Sequence, residues 1–104
     1  ISPTYPYKLK NSSYWLFSIN CKFRDDLIIF LKKKNISTAV HFVPLPLNYL
    51  YKKYKKGKLE NAYKNWKKIV SLPFFPDLEN KNINYIIKCL KTFDEKLIRK
   101  YEAI

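Results

Sequence analysis

The sequence predicts an α+β fold in which helices pack on a small antiparallel sheet. Three features predict it. One apolar stretch alternates at period two, others recur at helical period, and short β-branched or proline-flanked segments between them suit strands. From Tyr14 to Cys21, Trp15, Phe17, Ile19 and Cys21 alternate with Tyr14, Leu16, Ser18 and Asn20, which reads as a strand with one wholly apolar face. Arg24 to Lys34 then sets Leu27, Ile28, Phe30 and Leu31 on one helical stripe. Asp25 and Asp26 in its first turn and Lys32, Lys33 and Lys34 in its last both suit the helix dipole, and Asn35 suits a left-handed exit.

Thr38 to Val43 is short and β-branched and reads as a second strand, with Val40 and Phe42 on one face and Ala39, His41 and Val43 on the other. Pro44 and Pro46 end it. Leu45 to Lys58 reads as a loop with one helical turn. Leu59, Ala62, Tyr63, Trp66, Ile69 and Val70 fall at offsets 0, 3, 4, 7, 10 and 11, an amphipathic helix with a lysine-rich outer face. Leu72 to Pro76, pinned by two prolines, suits a sheet edge. After Asn80, a suitable cap, Ile83, Ile86, Ile87, Leu90 and Phe93 repeat the helical period, and a last helix runs from about Glu95 to Tyr101. Trp15, Phe17, Trp66 and Phe93 stand at core spacing and are assigned to packing.

Composition removes several functional classes. The 104 residues carry 21 basic and 8 acidic side chains, a formal charge of +13, with 47% apolar residues. One domain of radius about 13 Å is expected at this length. No apolar run approaches the roughly 20 residues that span a bilayer, so no membrane partner is expected. Cys21 and Cys89 have no partners at zinc-like spacing and His41 is the sole histidine, so no metal site is expected and two free thiols in a reducing cytoplasm are. The sole glycine, Gly57, excludes a glycine-rich phosphate loop within these residues. Only Arg24 and Arg99 of the basic residues are arginine, the side chain that reads bases and phosphates with a planar fork. Adenine- and thymine-rich codons account for the many Lys, Asn, Ile, Tyr and Phe residues without any ligand. The first residue is Ile1 and no signal pattern follows, as expected of a piece of a longer protein.

Three segments in order carry a family resemblance. Ser13-Tyr14-Trp15-Leu16-Phe17-Ser18-Ile19, with Arg24-Asp25-Asp26-Leu27 and a helix ending at Asn35-Ile36-Ser37-Thr38, resembles the opening of the C-terminal domain of the DegT/DnrJ/StrS sugar aminotransferases. His41-Phe42-Val43-Pro44-Leu45-Pro46-Leu47 is similar to that family's V-H-Y/F-x-P-L-H-L signature. Val70-Ser71-Leu72-Pro73-Phe74-Phe75-Pro76 with Leu78 resembles its S-L-P-[LM]-[FY]-P-x-L stretch, and the 83–93 helix its closing helix. The resemblance runs from about residue 12 to 93.

It implies the last quarter to third of a fold type I enzyme that uses pyridoxal 5'-phosphate to move an amino group from glutamate or glutamine onto a nucleotide-linked keto sugar. The Schiff-base lysine and most cofactor contacts would belong to a large N-terminal domain, the first partner, in a homodimer. The 104 residues are then one small domain without catalytic residues and without activity alone. The resemblance also marks His41, on spacing alone an ordinary strand histidine, as a substrate contact that hydrogen-bonds a sugar hydroxyl or phosphate. Phe42 stands where the family often has tyrosine, and Pro46 where it often has a second histidine, so those contacts are missing here. Asn48 and Tyr51, in the following loop, are the remaining substrate-binding candidates, the plain alternative being that they only pack and solvate it. The tyrosine and lysine mixture from Tyr49 to Lys58 offers charge attraction to a nucleotide phosphate, against the plainer reading of a solvated face. A competing reading is a small basic module that holds single-stranded nucleic acid by charge and stacking, which requires aromatics exposed on a basic groove. The enzyme reading in turn requires exposed apolar surface where the large domain would sit.

Overall fold

The structure, a computed structural model, describes residues 1–4, 11 and 13–102; Ser12, where the resemblance begins, and the side chain of Tyr101 lie outside them. The elements are β1 (Ser2–Pro3), β2 (Phe17–Asn20), α1 (Arg24–Lys33), 3-10 turns at Leu45–Leu47 and Lys52–Tyr54, α2 (Glu60–Lys68), β3 (Ile69–Leu72) and α3 (Asn80–Glu102). The strands form an antiparallel sheet in the order β1-β2-β3, with Ile19 opposite Val70 and Phe17 opposite Leu72. The expected α+β class is what the chain adopts.

Pairing decides which strand is central. Ser71 exchanges backbone hydrogen bonds with Ala39 at 2.8 and 3.1 Å on the edge of β3 away from β2. Val70, Ser71 and Leu72 are accordingly all buried. On one face Ile19 and Val70 meet Leu27 and Leu31 of α1 and Ile86, Cys89 and Phe93 of α3 in one cluster that also holds Cys21, Ile36 and Leu72. Leu27, Leu31 and Val70 are fully buried, each worth about 1.5–3 kcal/mol of transfer free energy. On the opposite face the Ser18 and Ser71 hydroxyls lie 3.1 Å apart.

Helix α1 ends as its sequence dictates, with Asn35 at φ +60° in the left-handed exit. Arg24 opens it and is buried, because its Nη1 donates to the Trp66 carbonyl at 2.7 Å and its guanidinium lies 5.2 Å from the Trp66 ring centre. That carbonyl belongs to the last turn of α2, where no intrahelical N–H is available. One side chain thus fixes the start of α1 to the end of α2.

Several expectations are corrected. Residues 38–43 do not form a strand: only Ala39 bridges to the sheet, and Phe42 at φ +57° breaks the alternation. Residue 39 and β2 flank β3 on opposite edges, so the two segments joined by α1 are not neighbours. The helix expected over 59–70 stops at Lys68, and Ile69 and Val70 turn into β3, whose pairing with β2 outweighs continuation of the helical stripe. The loop after Pro44 holds two 3-10 turns where one helical turn was expected. The two closing helices are one continuous helix of 23 residues. Nothing between Phe93 and Glu95 breaks it, since Asp94 and Glu95 are compatible with a helix interior.

The largest correction concerns compactness. The radius of gyration is 16.0 Å, with extents of 46 × 43 × 26 Å, against about 13 Å for a compact chain of this length. Phe93 packs in the core as expected and Trp66 is half-buried, but Trp15 is 72% exposed and Phe17 44% exposed. Both cysteines are free and buried. No helix among the described residues is long and apolar enough to cross a membrane.

Candidate functional site

The four candidate residues lie where the chain leaves the sheet after Ala39. His41 is half-buried. Phe42 adopts φ +57°, a conformation that costs a bulky side chain free energy unless its surroundings hold it. Its ring is 74% exposed, with the Trp15 ring 6.0 Å away and the His41 ring also 6.0 Å away. Phe17 and Phe74 form a second pair at 6.3 Å. Val43, Leu45 and Leu47, which follow Phe42 in the chain, are exposed as well, so apolar side chains are concentrated at the surface here.

From Pro44 the chain folds into a lobe held by its own hydrogen bonds. The Pro44 carbonyl accepts from Leu47 N–H and that of Leu45 from Asn48 N–H, both at 2.9 Å; the Asn48 carbonyl accepts from Tyr51 and Lys52 N–H, both at 3.0 Å. Asn48 Oδ1 also accepts from the Leu50 N–H at 3.0 Å, a local turn that holds the carboxamide in place and leaves its two N–H donors for a ligand. Tyr51 is exposed, with its hydroxyl able to donate or accept. His41 and Phe42 are therefore brought together, as are Asn48 and Tyr51, while no hydrogen bond joins the two pairs among the described residues. Sequence reasoning missed Trp15 and Phe74 as members of this face, since an apolar residue at core spacing gives no sign of what covers it.

Clefts are also found elsewhere among the described residues. One of about 610 Å³ is lined by Ile1, Cys21, Lys22, Phe23, Asp94, Leu97, Ile98 and Glu102. Burial pushes the Cys21 thiol above its ordinary range, and a backbone hydrogen bond from Phe23 partly opposes this, so Cys21 is a packed, protonated group unsuited to nucleophilic chemistry. No cluster of His, Cys, Asp and Glu among the described residues could hold a metal ion.

Comparison with known proteins places this geometry. The model of the DegT/DnrJ/EryC1/StrS aminotransferase family matches residues 2–91. The chain belongs to that family. A pleiotropic regulatory protein of Geobacillus stearothermophilus is 36% identical over 81 residues, covering 74% of this chain and 22% of that protein. The spore coat polysaccharide biosynthesis protein SpsC of Bacillus subtilis is 32% identical over 72 residues, 65% of this chain and 18% of that protein. Among solved structures, the apo-form of Spr1654 of Streptococcus pneumoniae, ascribed to the sugar aminotransferases, superposes with a TM-score of 0.80 at 28% identity, over 98% of this chain and 28% of that one. The chain thus spans about a fifth of the curated relatives it matches.

Spr1654 is also known in a PLP-form. The described residues of this family member do not themselves fit the cofactor's covalent attachment. Every lysine among them is exposed, whereas a lysine that serves as a nucleophilic amine is desolvated or set against another charge. The four candidate residues offer hydrogen-bonding groups at His41, Asn48 and Tyr51 and an exposed ring at Phe42.

Proposed function

We propose that these residues are the C-terminal part of a cytoplasmic, pyridoxal phosphate-dependent aminotransferase that moves an amino group from glutamate or glutamine onto a keto sugar linked to a nucleotide. Family membership supports the reaction class. The observation that carries the role of this part is the exposure of the apolar side chains Trp15, Phe42, Val43, Leu45 and Leu47, close in sequence or in ring contact with half-buried His41 or Phe42. A large exposed apolar face marks a surface that a partner covers. Here the partner is the large N-terminal domain of the same enzyme, in a homodimer, with the cofactor and its lysine on that domain. The cofactor supplies the electron sink for transamination. This chain excludes water and orients the substrate: His41 hydrogen-bonds a sugar hydroxyl or phosphate, the Phe42 ring forms an apolar wall, and Asn48 and Tyr51 add donors from the lobe.

The test uses the intact enzyme with a panel of nucleotide-linked keto sugars. His41→Ala raises KM about 3- to 10-fold with kcat little changed, the loss of one hydrogen bond shared by ground and transition states. Residues 1–104 alone, supplied with cofactor, turn over nothing. Turnover by the 104 residues alone, or an unchanged KM in the His41 variant, overturns this assignment.

A further inference from the structure

Backbone strain in this chain gathers at one place. Among the described residues, three other than glycine have positive φ: Tyr14 at +46°, Asn35 at +60° and Phe42 at +57°. Asn35 ends α1, and asparagine tolerates that conformation. Tyr14 and Phe42 are aromatic, and for a bulky side chain a left-handed backbone costs free energy. Far apart in sequence, the two serve a single contact. Tyr14 immediately precedes Trp15, and the Trp15 and Phe42 rings meet at 6.0 Å with an interplanar angle of 58°. That spacing and tilt lie in the attractive range for aromatic pairs. A second contact continues the series, from the Phe42 ring to that of His41 at 6.0 Å and 46°.

Phe42 sets the path of the chain between two anchored points. Before it, Ala39 exchanges backbone hydrogen bonds with Ser71 at 2.8 and 3.1 Å. After it, the Pro44 carbonyl accepts from the Leu47 N–H at 2.9 Å, and the proline ring holds φ at −50°. A single left-handed residue turns the chain within that span, so the direction of His41 depends on whether residue 42 keeps its conformation. A ring contact and a left-handed backbone are comparable in free energy and opposite in sign. The Trp15 contact is therefore enough to tip residue 42 between conformations while the stability of the whole fold hardly changes. We infer that Trp15 is a positioning residue, whose ring holds Phe42 in the left-handed conformation and thereby aims His41 at the substrate. This rests on the aminotransferase reading and deepens it, adding to the site a side chain that acts through Phe42.

The experiment uses the intact enzyme with the variants W15A, W15F, H41A and W15A/H41A, and the keto sugar turned over best in the panel above. W15A raises KM about 3- to 10-fold with kcat little changed, as H41A does, and W15F returns KM to within about twofold of wild type. In the H41A background W15A adds less than about twofold, because both variants act on one contact. A Trp15 that only docks this part against its partner would add its full effect to that of H41A. A second readout is independent of turnover: in histidine-labelled enzyme the His41 ring resonance, assigned by its loss in H41A, shifts in W15A and returns in W15F. An unmoved resonance in W15A overturns the inference. So does a wild-type KM in W15A beside a raised one in H41A, or full additivity in the double variant. If the resonance shifts and H41A leaves KM unchanged, the link from Trp15 to His41 stands and the substrate reading falls.

Discussion

Replacing Arg24 probes how the small sheet is held between its helices. The guanidinium donates to the Trp66 carbonyl at 2.7 Å, stacks 5.2 Å from the Trp66 ring centre, and pairs with Asp25 at 2.9 Å. A hydrogen bond from a charged donor is worth about 1.5–3 kcal/mol and a partly desolvated cation–π contact about 0.5–2. Asp25 is largely exposed, so its ion pair adds little. Arg24→Ala therefore costs about 2–4 kcal/mol, expressed chiefly as loosening of α2. Arg24→Lys keeps the charge but loses the planar fork, and recovers less than half. Hydrogen exchange of the α2 amides reads this directly, because each 1.4 kcal/mol is about tenfold in opening. The expected acceleration is about 30- to 1,000-fold in the alanine variant. Acceleration below about threefold, or full recovery by lysine, would refute the argument that this one side chain fastens α1 to α2.

Three further outcomes follow from burial and backbone geometry. Leu27→Ala, at a fully buried position, costs about 2–5 kcal/mol in urea unfolding, whereas Trp15→Ala, tested in residues 1–104, changes stability by less than about 0.5. Burial raises the Cys21 thiol above its ordinary 9.0, so its contribution to stability is complete below that pH and is lost as pH climbs through the folded-state value; Cys21→Ala flattens the decline above pH 9.0 relative to wild type. Asn35→Gly is neutral or slightly stabilising at φ +60°, and Asn35→Val costs about 1–2 kcal/mol, both checked by thermal melts.

The parts of the fold legible in the sequence were those whose signal is local. Helix α1 is marked at both ends by charge and by Asn35, and the observed element runs from Arg24 to Lys33 with that asparagine in the left-handed conformation. The closing stripe from Ile83 to Phe93 and the segment from about Glu95 to Tyr101 are helical as read, although their joining into one helix was not foreseen. What escaped was settled by partners distant in sequence. Ile69 and Val70 fit the α2 stripe as well as a strand, and only Asn20 and Ile19 opposite them decide the matter. Strand β1, two residues long, is too short to leave a periodic signal.

The candidate site shows the same division more sharply. Its residues were found through a resemblance, for a lone histidine and an asparagine in a loop have no spacing that marks them. Period two reads Trp15, Phe17, Ile19 and Cys21 as one face of a strand from Tyr14 to Cys21, yet β2 holds only Phe17 and Ile19 of the four, and Ile19 and Cys21 are buried while Trp15 and Phe17 are not. Periodicity tells which side chains share a face and says nothing about what lies against it. Along this strand the inner half meets α1 and α3, and the outer half meets Phe42 and Phe74, themselves exposed. The face is thus continued outward by rings that remain exposed among the described residues, with Phe42 at positive φ. A chain selected to fold alone would gain solubility by turning Phe42 inward or making it polar. That it does neither is the physical reason to look for the missing wall in the rest of the enzyme, and it makes Phe42→Ser a discriminating variant. That change leaves the melting of residues 1–104 unchanged within about 0.5 kcal/mol, and in the intact enzyme lowers stability by about 1–3 kcal/mol as an interface aromatic is lost. Equal effects in the two contexts would show that the face is solvated in the enzyme as well.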